Sequence, residues 1–191
     1  MAVREIAHLG HPVLRKPALE VDPEEIKTEK FQTFIDDLVE TMRDANGAGL
    51  AAPQIFESIR VCALEVHKNP RYPYKPDIPL TILINPKIEV LSEETFGNYE
   101  GCLSVPNLRG MVQRHAHIRV TALDRNGDPV RIDASGITAG TYQHEVDHLD
   151  ALLFVDRVQD SQTLTTWTQF DEHYKNDWFE TAQAIVDKYG S

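Results

Sequence analysis

The sequence predicts an α+β fold built as one domain over residues 1–191. Three observations carry that prediction. A helical period near the N-terminus gives way to a long stretch of strand-like patterning, and helical periods return only after it, so helices and strands do not alternate as in βαβ units. The strand-like stretch contains a hairpin signal, which makes its strands antiparallel. The helix that follows is apolar on two opposite faces and is therefore expected to be buried.

Taken in order, the chain starts irregularly. Asp22-Pro23-Glu24-Glu25 then offers a cap, a proline for the first helical turn and a glutamate three residues after the cap, which predicts a helix start. From 28 to about 45, Phe31, Phe34, Ile35, Leu38, Val39 and Met42 recur at helical spacing and form a wide apolar stripe, with Asn46-Gly47 as a left-handed stop. Over 60–67 the period falls to two, placing Cys62, Leu64 and Val66 on one face, and Cys62 reads as a core residue. Residues 69–79 carry four prolines and read as a surface excursion. Residues 80–91 are strand-like, and Pro86 within them predicts an edge or a kink. Ile118, Val120 and Ala122 alternate, Asn126-Gly127 supplies a turn, and Val130 and Ile132 alternate again, the clearest hairpin in the chain. A helix is expected from about 135 to 149, and a C-terminal helix over about 160–189 with Trp167, Phe170, Tyr174 and Trp178 along one face.

Composition narrows the function. Thirty acidic residues against nineteen basic ones leave a net charge of −11, which disfavours direct nucleic-acid binding and anionic membrane surfaces. No apolar run is long enough to span a bilayer. The N-terminus lacks an apolar signal core, and two distant cysteines make no disulfide framework, so a reducing, cytoplasmic location is expected. The sequence sets no oligomeric state.

The chemistry lies in His144-Glu145-Val146-Asp147-His148, an H-E-x-x-H sequence within the second predicted helix. Histidines at i and i+4 differ by about 40° around a helix and can hold one metal from the same face. Glu145, about 100° from His144, is placed as a base toward a water beside the metal. Ile137, Thr141, His144 and His148 share one face, and Tyr142, Val146 and Leu149 the opposite one. Two bare histidines in a buried helix would be costly without a partner, which favours metal binding. A third ligand must come from elsewhere: Cys102, in Glu100-Gly101-Cys102-Leu103-Ser104, offers a soft thiolate from what reads as a glycine-containing turn. Taken alone it reads better as a buried core cysteine. The segment 47–54, Gly-Ala-Gly-Leu-Ala-Ala-Pro-Gln, would let a substrate backbone approach closely and offers the Gln54 amide, although a tight helix exit explains it as well.

Together, GAGLAAPQ at 47–54, EGCLS at 100–104 and QHEVDHL at 143–149, in this order and spacing, resemble the three motifs of the peptide deformylase family, and the resemblance spans roughly residues 3–158. It implies antiparallel β-sheets around a central helix carrying HExxH, and an iron(II)-dependent hydrolase, with zinc, nickel or cobalt as substitutes, that removes the formyl group from the N-terminal methionine of newly made polypeptides. Cys102, His144 and His148 match the family's metal ligands, Glu145 its acid/base, and Gln54 with the Leu103 N–H the groups that hold the formyl oxygen. Gly47, Gly49 and Leu50 correspond to the edge that pairs with the peptide. Glu100, Gly101 and His144 correspond to substrate-contacting positions, Ile137 and Thr141 to the methionine pocket, and Arg109 to a residue reaching the peptide further along. Asp147 or Asp150 is a candidate to orient a ligand histidine. Two departures stand out: Ala151 where the family commonly has glycine, and Gly140 where many members carry a larger residue, which would widen the pocket or loosen the helix.

A metalloprotease would also use H-E-x-x-H, but would take a third ligand downstream, where only Glu172 and His173 stand, in an acidic segment. A metal-stapled binding protein without activity would be expected only if Glu145 or Gln54 were replaced. Some members of the family are thought to dock on ribosomal components through a C-terminal helix, so the resemblance leaves ribosome association open. Here residues 160–191 hold six acids against two lysines, a poor RNA ligand, and the aromatic stripe is expected to pack on the domain, with a dimer contact as the alternative.

Overall fold

The computed structural model describes residues 2–191. After a 3₁₀ turn at Pro12–Arg15 come α1 (Glu29–Asp44), β1 (Gly49–Ala51), a second 3₁₀ turn (Ala52–Ile55), β2 (Val61–Val66) and β3 (Ile78–Val90). They are followed by β4 (Thr95–Cys102), β5 (Val105–His115), β6 (His117–Leu123), β7 (Pro129–Ser135), α2 (Gly136–Leu149), a single turn α3 (Phe154–Arg157), α4 (Trp167–His173) and α5 (Lys175–Tyr189). Five strands form one sheet in the order β1-β2-β3-β6-β7, every pair antiparallel, and β4 and β5 form a separate hairpin.

The apolar stripe of α1 is buried at Phe31, Ile35, Leu38, Val39 and Met42. The helix does not begin at 22–25, as the capping pattern suggests. Those residues fold into turns, the Glu25 N–H donating to the Asp22 carbonyl, and the cap is Thr28, whose hydroxyl accepts from the Phe31 N–H at 3.3 Å. The turns bury Ile26 completely against the same cluster. On a continuous helix Ile26, five residues before Phe31, would stand about 140° away from it. The stop is as expected: Asn46 takes φ +52°.

Pro86 marks a kink and not an edge. β3 is the middle strand of the sheet, and its pairing with β6 shifts register between Ile84 and Lys87, where Asn85 adopts φ +53°. The 117–135 hairpin pairs in register from His117 opposite Ser135 to Leu123 opposite Pro129. The β4–β5 hairpin carries a weaker alternation, and Glu100–Cys102, read as a turn, are strand residues; the turn itself is Leu103-Ser104.

The C-terminal helix expected over 160–189 is broken. A 3₁₀ turn at Ser161–Thr163 leads to Thr165, which exchanges both backbone hydrogen bonds with Arg109 at 2.8 and 2.9 Å. Thr166 then caps α4, accepting from the Gln169 N–H at 3.3 Å. A threonine pair that bonds a strand edge and caps a helix suits extended backbone better than a helix interior. Phe170, Trp178 and Ala182 pack with Phe96, Ala116 and Ile137, so the aromatic stripe is core, while Tyr174 is left 48% exposed.

On α2, Ala139, Tyr142 and Leu149 pack against Cys62, Leu64, Leu83, Ile118 and Val120 of the large sheet. Ile137 packs beneath α5. Among the described residues, no helix is long and apolar enough to cross a membrane.

Ala151, just past α2, holds φ +63°. A Cβ in the left-handed region costs roughly 1–2 kcal/mol, offset in part by the greater unfolded-state entropy of glycine. Ala151→Gly is therefore expected to raise stability by up to about 1 kcal/mol, read as an upward shift of the urea midpoint with an unchanged slope.

Candidate metal centre

β4 ends on Cys102, opposite the face of α2 that carries His144 and His148 one turn apart. The Cys102 sulfur and one nitrogen from each imidazole lie within 4.8 Å of one another, and Sγ is 3.3 Å from His148 Nε2. His144 Nδ1 stands 2.8 Å from Glu100 Oε2, an arrangement that fixes the ring and leaves Nε2 toward the sulfur side. Burial pushes the Cys102 thiol up, but the combined attraction of His148 and His144 holds it well below the ordinary thiol value. Burial pulls the His144 imidazolium down, and its bonds to Cys102 and Glu100 more than reverse that. One thiolate and two imidazoles converging at this spacing fit a zinc- or iron-type divalent ion with a position to spare.

Behind the ligands lies a buried ion network. Arg114, with a side chain 3% exposed, donates to both Glu100 oxygens at 2.7 and 2.8 Å and to Asp147 at 2.6 Å; Arg157 holds the other Asp147 oxygen at 2.6 Å. Although burial opposes it, the Arg114 guanidinium keeps the Glu100 carboxyl far below the usual carboxylate range. The residue that orients a ligand histidine is thus Glu100. Asp147 instead pairs with the two arginines, and Asp150 with Arg60, so neither has that role. Glu100 also lines the cavity beside the ligands, with both its oxygens engaged by Arg114.

Glu145 is 4% exposed, its Oε2 has no hydrogen-bond partner, and burial pushes its carboxyl above the usual value against the pull of His144 and His148. Gly49 makes room for it, since a Cβ there would collide with the Glu145 carboxyl. Gln54 is held through Oε1, which accepts the Ala51 N–H at 2.8 Å; its Nε2 donates to Ser104 Oγ at 3.0 Å and lies 3.6 Å from the Cys102 sulfur. These groups surround a cavity of about 30 Å³, room for a water or two, walled by Gly47, Gly49, Gln54 and Leu103 on one side and by Glu100, Gly101, Thr141, His144 and Glu145 on the other.

Two predicted substrate contacts, Ile137 and Arg109, lie outside this cavity. Ile137 is fully buried because α5 covers it, and the Leu50 side chain is buried in the core while its backbone lies on β1. Arg109, 1% exposed, is held in the layer beneath α4: its Nη2 donates to the Tyr74 hydroxyl at 2.9 Å and the Tyr99 carbonyl at 2.8 Å, and its guanidinium stacks 3.9 Å from the Phe170 ring centre. Cys62 is an inert core thiol that burial pushes well up. Glu172 and His173 pair with each other on the exposed face of α4, away from the cavity.

The segment 69–79 is not a surface excursion. It returns over the cavity with Tyr72 and Lys75, and Tyr72 is 6% exposed. Nor does Gly140 leave a widened pocket: a Cβ there would meet Asn98 Nδ2 at 3.1 Å and Phe96 Cζ at 3.3 Å, so Asn98 fills the space. Arg114, Ser104, Asn98, Tyr72 and Lys75 are the contributors that sequence reasoning missed. Ser104 alone left a trace, inside the EGCLS segment.

Residues 3–164 match the sequence profile of the family described as polypeptide deformylase. A protein of Nostoc sp. named peptide deformylase 2 is 42% identical over 167 residues, which cover 87% of this chain and 92% of that protein. The fold resembles a Met-Ala-Ser-bound crystal structure of class I type b peptide deformylase from Acinetobacter baumannii, with TM-score 0.79 and 38% identity over 82% of this chain and 99% of that one. An actinonin complex of a peptide deformylase from Synechococcus elongatus matches with TM-score 0.74 and 32% identity, covering 98% of this chain and 86% of that one.

Proposed function

The chain belongs to the polypeptide deformylase family, enzymes that hydrolyse the N-formyl group of newly made peptides, and from that premise we propose how its own residues perform the reaction. Cys102, His144 and His148 hold one divalent ion, iron(II) by the reading of the sequence, in a site whose thiolate and imidazoles equally suit zinc, nickel or cobalt. The chemistry such an ion supplies when bound is Lewis acidity toward water and toward the formyl oxygen.

Glu145 accepts a proton from the attacking water and delivers it to the departing amine nitrogen as the C–N bond breaks, so that one water and one formamide give formate and a free amine. Its unpartnered Oε2 and its burial support that assignment. The Gln54 amide, already held by Ala51, and the Leu103 N–H meet the charge that develops on the formyl oxygen. The formyl-methionyl peptide adds along β1, the edge strand of the large sheet, where Gly47 and Gly49 keep the approach open. In this reading α2 is the central helix, carrying the HExxH ligands into the core. Two unpaired cysteines support a cytoplasmic placement. The acidic C-terminal segment, with its aromatic residues turned inward, supports neither direct nucleic-acid binding nor ribosomal docking through that segment.

The observation that carries the proposal is the convergence of Glu145, Gln54 and the three ligand side chains on one small cavity. Protein purified without oxygen and loaded with iron(II) or nickel is expected to release one formate per free amine from formyl-Met-Ala-Ser. One bound metal per chain with no formate released would overturn it, and release of Ala-Ser would indicate a protease.

A further inference from the structure

Deformylation acts at the formyl end of its substrate, so the residues behind methionine must leave the metal cavity through adjoining open space. A groove of about 520 Å³ shares Cys102 and Leu103 with that cavity. Leu103 stands where the two meet: a Cβ on Gly47 would touch its Cδ1 at 3.0 Å, so this side chain also borders the approach to β1. The other apolar walls are Pro70 and Pro73 of the four-proline segment, Pro106 of β5, and Trp167 and Phe179 of α4 and α5. An extended peptide advances about 3.3 Å per residue, so one or two residues carry it from the cavity past Leu103.

The groove is largely apolar, but its charge is one-sided. Arg71, Arg109 and Lys175 face it against one acid, Asp171. Asp171 lies 3.4 Å from Lys175, and the two match each other. Arg71 stands 5.1 Å from the Trp167 ring centre, and its Nη1 donates to the Ala45 carbonyl at 3.5 Å. Arg109, 1% exposed in the floor, gives its Nη2 bonds to the Tyr74 hydroxyl and the Tyr99 carbonyl, and its Nε is buried with no partner. Among the described residues neither guanidinium meets a carboxylate. A buried cation without a counter-charge is costly, and apolar walls carry its field into the groove. In a chain of net charge −11, two unmatched guanidiniums on one groove mark a place for an anion.

Resting on the deformylase reading, we propose that this groove receives the two residues that follow methionine and prefers an acidic side chain among them, with Arg71 as the specificity-determining residue. A carboxylate in the groove pairs with Arg71 and lies in the field of Arg109 beneath it. Two parts of the chain outside the three motifs cooperate here: the four-proline segment supplies Arg71, and α4 supplies the Trp167 ring on which it rests. The requirement for formyl-methionine and the reaction itself are unchanged.

The test gives the metal-loaded full chain formyl-Met-Glu-Ala and formyl-Met-Ala-Glu as C-terminal amides, each beside its glutamine counterpart, so that the side-chain carboxylate is the only difference. Wild type is expected to favour the glutamate peptide at one of the two positions by about fivefold or more in kcat/KM. The gain should lie in KM, since the groove is remote from the reacting bond, and it should fade as salt is raised. Arg71→Gln is expected to bring the ratio close to one. The deformylated glutamate peptides should bind wild type more tightly than their glutamine forms by a similar factor in calorimetry, a readout that needs no turnover. Equal kcat/KM for glutamate and glutamine peptides, or a preference that neither salt nor Arg71→Gln reduces, overturns the proposal and leaves the deformylase reading intact. No formate from any of the four peptides overturns both. The wild-type ratio and its salt dependence need no variant, so they decide the matter even if Arg71→Gln fails to fold.

Discussion

Glu145→Gln protein, loaded with metal, is expected to release formate from formyl-Met-Ala-Ser about 10²–10⁴-fold more slowly than wild type while binding one metal per chain as before. The substitution keeps the shape of the side chain, which matters because Gly49 lies directly against the Glu145 carboxyl. It removes the carboxyl proposed to accept a proton from water and return it to the amine. The carboxyl is not among the three converging ligand groups, so metal content should not fall. The loss should appear in kcat, since the glutamine amide still occupies the same volume beside the substrate. A rate within a few-fold of wild type would remove Glu145 from the chemistry, and loss of metal would instead make it part of the metal-binding structure.

Arg114→Leu is expected to cost roughly 3–5 kcal/mol of folding stability, the range for removing one partner of a buried ion pair. That is a large share of the roughly 5–15 kcal/mol typical of a domain. Arg114 bonds both oxygens of Glu100 and one of Asp147, and these three side chains are nearly buried. The sign of the pH dependence follows. In wild type the Glu100 carboxyl is held below its unfolded value, so its contribution is present above the ordinary carboxylate range and is lost only as the pH falls through the depressed native value. Without Arg114, burial raises that carboxyl, and the variant loses stability as the pH rises through the ordinary range. The gap between the two proteins, measured by urea unfolding, should be widest near pH 7 and narrow toward pH 4. Metal affinity should also drop, because Glu100 orients His144. A gap that does not change with pH would mean that the loss comes from packing.

Where one element carries its own signal, the chain is readable without its fold. The α1 stripe, the 117–135 hairpin and α2 come from local periods that tertiary packing reinforces. The errors fall where packing and local pattern compete. Ile26 draws the start of α1 forward to Thr28, and the Thr165–Arg109 bridge breaks a helix that the aromatic spacing alone would carry through. Pro86 sits in the middle of a sheet because Asn85 absorbs the register shift beside it.

The sequence by itself determined which residues are proposed as ligands and base. H-E-x-x-H puts two histidines on one face of a helix and a carboxylate beside them through the helix's own geometry, and the ordered triple of segments adds Cys102 and Gln54 as candidates. Only the tertiary structure decided what stands around that centre: that Glu100 orients His144 under the hold of Arg114, that Arg109 and Ile137 are sealed beneath the C-terminal helices, and that Lys75 and Asn98 wall the cavity. The physical reason is range. Ligands on one helical turn are related by the backbone's own period. Groups brought from β4, β5 and the 69–79 segment meet only because distant apolar surfaces bury one another, and no short-range pattern records which side chains that burial brings together.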